Sequence, residues 1–297
     1  MNKKNDLVSI YRLIGADIEV LAKNTLTMSH INHLMMARTR SMLPEGTMPT
    51  DPVVKHYSLD FDSAEEEMFY VGVQGAIIEK WKTSKYNLDT NHSMEQLVLL
   101  LRLRQLSVHP QVYIDSQKAA RILIPDWEHS CTKFEHVKKM LAEFPINDGT
   151  VVFCSFRREI DMFQKDLTKS GMKVYTYYGG MTEEQRATQI RGAKTSLEAG
   201  MRTVMLVQIN SGGTGLNLQF MNRCIFMSPW WNAALMDQAV GRIVRFGQTK
   251  KTYVYHIQLK QEEGDSVMNI DKFMFRKTIV KRQLCEIVLQ QARIDLE

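Results

Sequence analysis

The sequence predicts an α/β fold in which a parallel sheet carries helices on its faces, with a mainly helical region before it and a helix after it. From residue 150 onward, short apolar runs alternate with helical segments, as a doubly wound sheet requires. Turns rich in glycine or proline follow several runs, at the edge where such sheets bind ligands. The 297 residues, 44% of them hydrophobic, can bury the core of one large domain or two smaller ones.

The N-terminal region is predicted to be helical up to its first strand. Between residues 6 and 43 apolar side chains recur at spacings of three and four, which indicates two or more amphipathic helices. His30 and His33 lie on this stretch, but without a third ligand they favour a helical surface over a metal site. A strand is then expected over Val53–Phe61 because its side chains alternate.

Helices and a connector are predicted between this strand and the sheet. Residues 63–66 carry a capping-box pattern that opens a helix from Glu66 to Trp81. Another helix is expected over Met94–Leu106, followed by a connector over residues 111–130. A helix over Phe134–Phe144 leads into the sheet region.

Five apolar runs are the expected strands of the sheet region. They are Val151–Ser155, Val174–Tyr178, Val204–Ile209, Cys224–Met227 and Tyr253–Leu259. The helices between and after them are expected over Ile160–Lys169 and Glu183–Ala199, from Ala233 onward, and over Met268–Ile294.

Composition restricts the class of protein. The net charge of +5 and a pI near 8.9 favour a polyanionic partner only weakly, because a mild excess of lysine is common on solvated surfaces. The four cysteines are far apart and form no C-x-x-C, so the sequence favours neither zinc sites nor disulfides. Three of them lie beside apolar residues and are expected to be buried, reduced thiols. No apolar run approaches ~18 residues, which predicts no membrane span and a location in nucleus or cytoplasm.

The stretch from residue 208 to 248 carries most of the functional signal. A strand runs into a Ser-Gly-Gly-Thr-Gly turn at residues 211–215, an arrangement that lets backbone N–H groups approach a phosphate. The next strand ends at residues 228–232, where Pro229 cannot continue a central strand.

Two arginines follow on the next helical pattern. Gln238, Arg242 and Arg245 are spaced by four and three, which predicts one shared helical face. Arginine stays protonated and offers a forked set of donors, so this pair suits charge neutralisation on a transferring phosphoryl group. The alternative is a pair of surface arginines that contact Asp237 or solvent.

The motif string resembles a known family. The pattern Q-A-x-G-R-x-x-R-x-G-Q at residues 238–248 resembles motif VI of helicase superfamily two, in its SWI/SNF form. Residues 212–218 resemble motif V, and Trp231-Asn232 resembles the signature between the two motifs. Residues 36–44 are similar to the segment that closes the first motor lobe, and residues 103–110 to a leucine–arginine–x–x–cysteine–x–histidine–proline segment.

The resemblance implies a RecA-like helicase C-terminal lobe at residues 126–260. Residues 1–125 would hold the end of the first lobe and a helical insertion, and residues 261–297 a helical brace. A solvated basic face is the alternative for that last helix.

Family resemblance also implies a nucleotide between two lobes. Arg242 and Arg245 would be catalytic, and Gln238, Gly213 and Gly215 would bind the nucleotide. ATP and magnesium are the expected cofactors. Because the sequence contains no G-x-x-x-x-G-K-[ST], the magnesium ligands are expected on the first lobe and the chain is predicted to be inactive by itself.

DNA contacts are implied at helix starts and turns, where hydroxyls and backbone amides bind phosphate without reading sequence. The implied residues are Ser155, Phe156, Gly180, Met181, Thr182, Ser211, Gly212 and Trp231. For Trp231 the alternative is a core aromatic beneath motif VI, and Trp230 is expected to be the more buried of the two.

The predicted function is that of the second motor lobe of an ATP-dependent translocase on double-stranded DNA. Its expected partners are duplex DNA, an N-terminal RecA-like lobe, and chromatin or transcription factors. The alternatives are a non-enzymatic binding module with this fold and a strand-separating helicase. Departures from the family pattern at Ala233, Gly241 and residues 208–210 are typical of a divergent branch, such as a viral one.

Overall fold

The computed structural model describes residues 49–84, 92–211, 216–260 and 269–291. The helices predicted between residues 6 and 43, with His30 and His33, lie outside the described residues. So does the segment at residues 36–44 that resembles the end of a first lobe.

A six-stranded sheet forms the centre of the fold, and every neighbouring pair of its strands is parallel. The strands are β1 (Val53–Leu59), β2 (Thr150–Cys154), β3 (Lys173–Tyr177), β4 (Thr203–Gln208), β5 (Arg223–Phe226) and β6 (Tyr253–Leu259). Their order across the sheet is β1-β6-β5-β2-β4-β3. The predicted α/β fold with a parallel sheet is confirmed, and each predicted strand is present within about one or two residues.

Helices flank the sheet and precede it. Those in the described residues are α1 (Ala64–Ser84), α2 (His92–Val108), α3 (Pro110–Ala119), α4 (Thr132–Glu143), α5 (Arg157–Lys169), α6 (Glu183–Glu198), α7 (Ala233–Val240) and α8 (Ile270–Gln291). None of them, as far as the described ranges reach, is long and apolar enough to cross a membrane.

Helix α3 corrects the prediction of a connector over residues 111–130. Pro110 occupies the first turn, where its missing N–H costs nothing, and the Nδ1 atom of His109 accepts the Gln111 N–H at 3.0 Å. The His-Pro pair therefore ends α2 and also begins the next helix. Only residues 120–130 form the connector.

The capping box predicted at residues 63–66 is half formed. The Oγ atom of Ser63 accepts the Glu66 N–H at 3.2 Å. The Glu66 carboxylate instead accepts the N–H and the hydroxyl of Thr132, at 2.8 and 2.6 Å. Glu66 is thus buried against the start of α4, and burial raises the pKa of its carboxyl.

Strand β1 extends the sheet from the N-terminal side. All seven of its residues pair in register with β6, from Val53 opposite Tyr253 to Leu59 opposite Leu259. The sheet therefore includes a strand that precedes residue 126, where the sequence predicts that the C-terminal lobe begins. The boundaries at 125/126 and 260/261 themselves stay predictions.

Apolar side chains cover both faces of the sheet. Along β2, Val152 and Cys154 join the core on one face, and Val151 and Phe153 join the core on the other. Burial on both faces explains why the strands are continuous apolar runs. Cys131, Cys154 and Cys224 are buried free thiols, as predicted, and burial raises the pKa of each.

A buried ion pair fixes α8 to the lobe. The Nζ atom of Lys133 lies 2.6 Å from Oδ2 of Asp271, and it also donates to the hydroxyls of Ser107 and Ser228. Asp271 in turn accepts the Ser107 hydroxyl at 2.8 Å and the Leu259 N–H at 3.0 Å. The first turn of α8 is therefore joined to α2, α4, β6 and the loop after β5.

Candidate nucleic-acid interface and arginine segment

Four loops leave the same edge of the sheet, because parallel strands place their carboxyl ends together. Ser155 follows β2, Ser211 follows β4, and residues 180–182 follow β3. Trp231 lies in the loop after β5. The residues implied for DNA binding that the structure describes, far apart along the chain, are thus brought to one edge.

A buried arginine joins two of these loops. Arg104 comes from α2, and its Nη2 atom donates to the Ser155 hydroxyl at 3.2 Å. Its guanidinium carbon lies 4.3 Å from the ring centroid of Trp230, 5.3 Å from that of Trp231 and 5.6 Å from that of Phe156. These five residues are called the Arg104 cluster below.

The two tryptophans of the cluster differ in exposure. Trp230 is 5% exposed and Trp231 is 46% exposed, so the prediction that Trp230 is the more buried is confirmed. The alternative of Trp231 as a core aromatic is wrong, because nearly half of its surface is open to solvent. Trp231 is therefore available to a ligand at this edge.

Sequence reasoning assigned no role to Arg104. The only available signal was that residues 103–110 resemble a family segment that contains an arginine. Its partners lie 51 residues or more away along the chain, so no local spacing could indicate the contact.

Glu159 holds the backbone of the loop after β2. Its Oε2 atom accepts the Ser155 N–H at 2.8 Å and the Phe156 N–H at 3.0 Å. Burial raises the pKa of this carboxyl to about 7, and the two backbone N–H groups and Lys133 oppose the rise. The loop conformation therefore depends on a carboxyl that changes charge near neutral pH.

The turn after β3 starts α6 with a reciprocal capping box. The hydroxyl of Thr182 accepts the Gln185 N–H at 3.2 Å, and the Gln185 side chain accepts the Thr182 N–H at 2.9 Å. Gly180 is exposed and Met181 half-buried in the same turn. A helix N-terminus with exposed backbone amides suits a phosphate.

Gln208 joins the loop after β4 to this turn. Its Oε1 atom accepts the Gly179 N–H at 3.3 Å and the Ser211 hydroxyl at 3.4 Å. The sequence departs from the family pattern at Gln208. In the structure its side chain sets the position of Ser211 beside the turn at residues 179–182.

The arginine segment differs from its prediction. Helix α7 ends at Val240, and Gly241 caps it by donating its N–H to the Asp237 carbonyl at 2.9 Å. Gln238 lies on the helix, whereas Arg242 and Arg245 lie in the turns that follow. The shared helical face is therefore wrong, because glycine at 241 favours helix termination over continuation.

Those turns are hydrogen-bonded to residues 218–221. The Arg242 carbonyl accepts the Leu218 N–H at 3.1 Å. The Gln248 side chain donates to the carbonyls of Gln219 and Met221 at 2.9 and 2.8 Å. Gly247 has a φ of +90°, which lets the chain turn back for these bonds.

Exposure differs among the residues assigned to nucleotide. Gln238 and Arg245 are exposed, and Arg242 is half-buried. Gly212, Gly213 and Gly215 lie outside the described residues. Within the part of the chain that the structure describes, no three His, Cys, Asp or Glu side chains group closely enough to hold a metal ion.

Two solved structures have a similar fold. The C-terminal part of the Fun30 ATPase domain matches with a TM-score of 0.58 and 15% identity, over 81% of this chain and 99% of that one. The Sulfolobus solfataricus SWI2/SNF2 ATPase core domain matches with a TM-score of 0.51 and 20% identity, over 70% of this chain and 40% of that one. The six-stranded sheet therefore has the fold of a RecA-like helicase C-terminal lobe.

Sequence comparison identifies a helicase domain. Residues 132–247 match the profile of the helicase conserved C-terminal domain. The chain is 32% identical over 146 residues to the DNA repair protein RAD5 of Cryptococcus neoformans. The aligned segment covers 48% of this chain and 12% of that protein. Residues 132–247 therefore carry a helicase conserved C-terminal domain, and the chain is similar to SWI/SNF-type proteins in sequence and fold.

A viral relative matches this lobe and the residues around it. The probable global transactivator of Orgyia pseudotsugata multicapsid polyhedrosis virus is 25% identical over 297 residues, which is 98% of this chain and 57% of that protein. The chain thus spans less than two thirds of either relative.

Proposed function

We propose that this lobe is the second half of an ATP-driven translocase that moves along double-stranded DNA. One observation carries the proposal. Residues 208–248 supply Ser211 and Trp231 to the loops at one sheet edge, and the same stretch supplies Arg242 through a turn bonded to Leu218. A nucleotide bound at the arginines is therefore linked to the DNA edge through a short piece of backbone.

The nucleotide role rests on charge and position. Arg242 and Arg245 neutralise charge that develops on the γ-phosphoryl group, since a guanidinium stays protonated and binds phosphate with two parallel donors. Gln238, Gly213 and Gly215 complete the face that binds ATP. Magnesium would balance the phosphate charge and would be held by an N-terminal RecA-like lobe that pairs with this one.

The DNA role rests on the kind of groups at the edge. Ser155, Thr182 and Ser211 offer hydroxyls, and the residues around Gly180, Met181 and Gly212 offer backbone amides. Such groups bind the phosphate backbone in any sequence, as a translocase requires. Trp231 and Phe156 add ring surface beside them.

Two alternatives make different predictions. A non-enzymatic binding module would use the DNA edge but would not need Arg242 and Arg245. A strand-separating helicase would favour single strands, which proteins bind by stacking successive bases on aromatic rings. The described edge favours duplex because its groups are mainly hydroxyls and amides. Chromatin or transcription factors as partners stay a prediction from the family.

The test is ATP hydrolysis by the chain with a first lobe supplied separately, on duplex and single-stranded DNA of equal length. We expect no turnover by the chain alone and turnover with the first lobe that duplex stimulates more than single strand. Stronger stimulation by single strand would support the strand-separating helicase. DNA binding without turnover in the assembled pair would support the binding module.

A further inference from the structure

Arg104 is a buried cation without a role in the proposed reaction. It is 5% exposed, and burial lowers the pKa of its guanidinium to about 10, against the opposing effect of Glu159 and Asp271. The side chain therefore stays charged at neutral pH. Its Nε atom is buried without a hydrogen-bond partner in the described structure. A buried charge with an unmet donor is costly, so its presence here needs a reason.

The surroundings of Arg104 supply that reason. Ser155 and Phe156 come from the loop after β2, while Trp230 and Trp231 come from the loop after β5. Helix α2, which carries Arg104, forms no part of the sheet. One guanidinium therefore donates to a hydroxyl of the first loop and lies against the rings of the second.

We propose that Arg104 is a positioning residue for DNA binding, which holds Ser155 and Trp231 at a fixed spacing so that both contact one duplex. The inference rests on the proposed function, since it assigns a cause to the geometry of the same DNA edge. Arg104 itself does not contact DNA, because Trp230, Trp231 and Phe156 surround it and leave little of it exposed.

A planar guanidinium is required for this role. It can donate in its plane to Ser155 while its face lies against the Trp230 ring. A lysine ammonium is a compact point charge and cannot meet both partners at once. Arg104→Lys therefore keeps the net charge and removes the joint contact.

Duplex affinity of the full chain is the first readout, measured by anisotropy of a fluorescein-labelled duplex. We expect Arg104→Lys to weaken binding about 10-fold, which corresponds to about 1.4 kcal/mol. The matched control is Arg102→Lys on the same helix, where the arginine donates to Gln105 at 3.0 Å, and it should bind as wild type does. Since both variants keep the charge, bulk attraction to phosphate is unchanged.

A double-mutant cycle separates positioning from general destabilisation. If Arg104 acts through Trp231, then Arg104→Lys should have little further effect in a Trp231→Ala background. Trp230→Phe, which keeps an aromatic ring and weakens the cation–π contact, should lower affinity by a smaller factor. This milder variant tests the same contact if Arg104→Lys does not fold, which circular dichroism will show.

A spectroscopic readout needs no DNA. With Trp81→Phe and Trp127→Phe, only Trp230 and Trp231 of the four tryptophans emit. We expect Arg104→Lys to increase iodide quenching of this emission, because Trp231 loses its support, and Arg102→Lys to leave it unchanged.

Each outcome has one consequence. Suppose that wild type binds duplex and that Trp231→Ala weakens this binding. If Arg104→Lys and Arg102→Lys then show equal affinity and equal quenching, the role of Arg104 is refuted while the proposed DNA edge stands. An undiminished effect of Arg104→Lys in the Trp231→Ala background also refutes the role of Arg104. A wild-type chain that does not bind duplex, or a Trp231→Ala chain that binds normally, refutes the proposed DNA edge and the inference with it.

Discussion

His109 and Glu159 make the stability of the lobe depend on pH in opposite directions. Burial lowers the pKa of His109 to about 4, so the stability that its neutral ring contributes is lost as pH falls from 6.5 toward 4. Burial raises the pKa of Glu159 from 4.5 to about 7, so its contribution is full below 4.5 and is lost as pH rises through 7. The free energy of unfolding of wild type therefore contains two pH-dependent contributions of opposite sign.

Glu159→Gln removes the pH-dependent contribution of Glu159 and leaves that of His109. The amide oxygen of glutamine can still accept N–H groups from Ser155 or Phe156, but the side chain no longer titrates. The free energy of unfolding of wild type, relative to the variant, should fall by up to about 3 kcal/mol between pH 4.5 and 7. Urea unfolding at several pH values measures this difference, from which the His109 contribution cancels. Parallel pH curves would show that Glu159 keeps an ordinary pKa.

At the scale of elements, the Lys133–Asp271 pair is expected to hold α8 in place. Asp271→Leu leaves the Lys133 charge buried and uncompensated, which should cost roughly 3–5 kcal/mol of unfolding free energy. The double variant Lys133→Met with Asp271→Leu should be more stable than that single variant, although Ser107 and the Leu259 N–H lose an acceptor.

Urea unfolding of both single variants and the double variant measures this coupling. Lys194→Met is the control, because its exposed partner Glu198 lies 3.8 Å away and such pairs contribute little. A double variant whose loss equals the sum of the two single losses would contradict the expected coupling.

Two helical glycines should respond differently to alanine. At Gly75 in α1 a Cβ atom would meet nothing within 4 Å, so Gly75→Ala should gain about 0.5–1 kcal/mol from helix propensity. At Gly192 in α6 it would lie 2.5 Å from the ring of Tyr175, whose hydroxyl is tied to Ser196 at 2.6 Å. Gly192→Ala should therefore lose about 1–3 kcal/mol. Thermal unfolding compares the two, and a gain at Gly192 would show that Tyr175 moves freely.

The elements also show which features a sequence can predict. Each strand was predictable because burial on both faces makes it an apolar run, which is a local signal. Gly241 was a local signal for the end of α7, whereas the Leu218 bond that fixes Arg242 and the Thr132 bond that holds Glu66 could not be predicted. Bonds to distant parts of the chain decided these details, and no spacing along the sequence contains them.

At the scale of the whole molecule, the parallel pairing of the strands brings residues that are far apart in the sequence to one edge of the sheet. The motifs predicted that Ser155, Ser211 and Trp231 act together, and the strand order brings their loops to that edge. Arg104 and Gln208, which hold those loops, could be found only in the structure. The pairing of β1 with β6 and the buried ion pair at Lys133 could not be predicted from the sequence either, because both depend on tertiary contacts.

The measurement that tests the central claim most directly is ATP turnover by the chain assembled with a first lobe on duplex DNA, compared with its Arg245→Ala variant. We expect turnover to fall by ~10³–10⁵ while DNA binding is retained, because an arginine at the γ-phosphate acts in the transition state. Arg191→Ala removes the same charge from an exposed site on α6 and should leave turnover unchanged. Turnover by the chain alone, or full turnover in Arg245→Ala, would contradict the account.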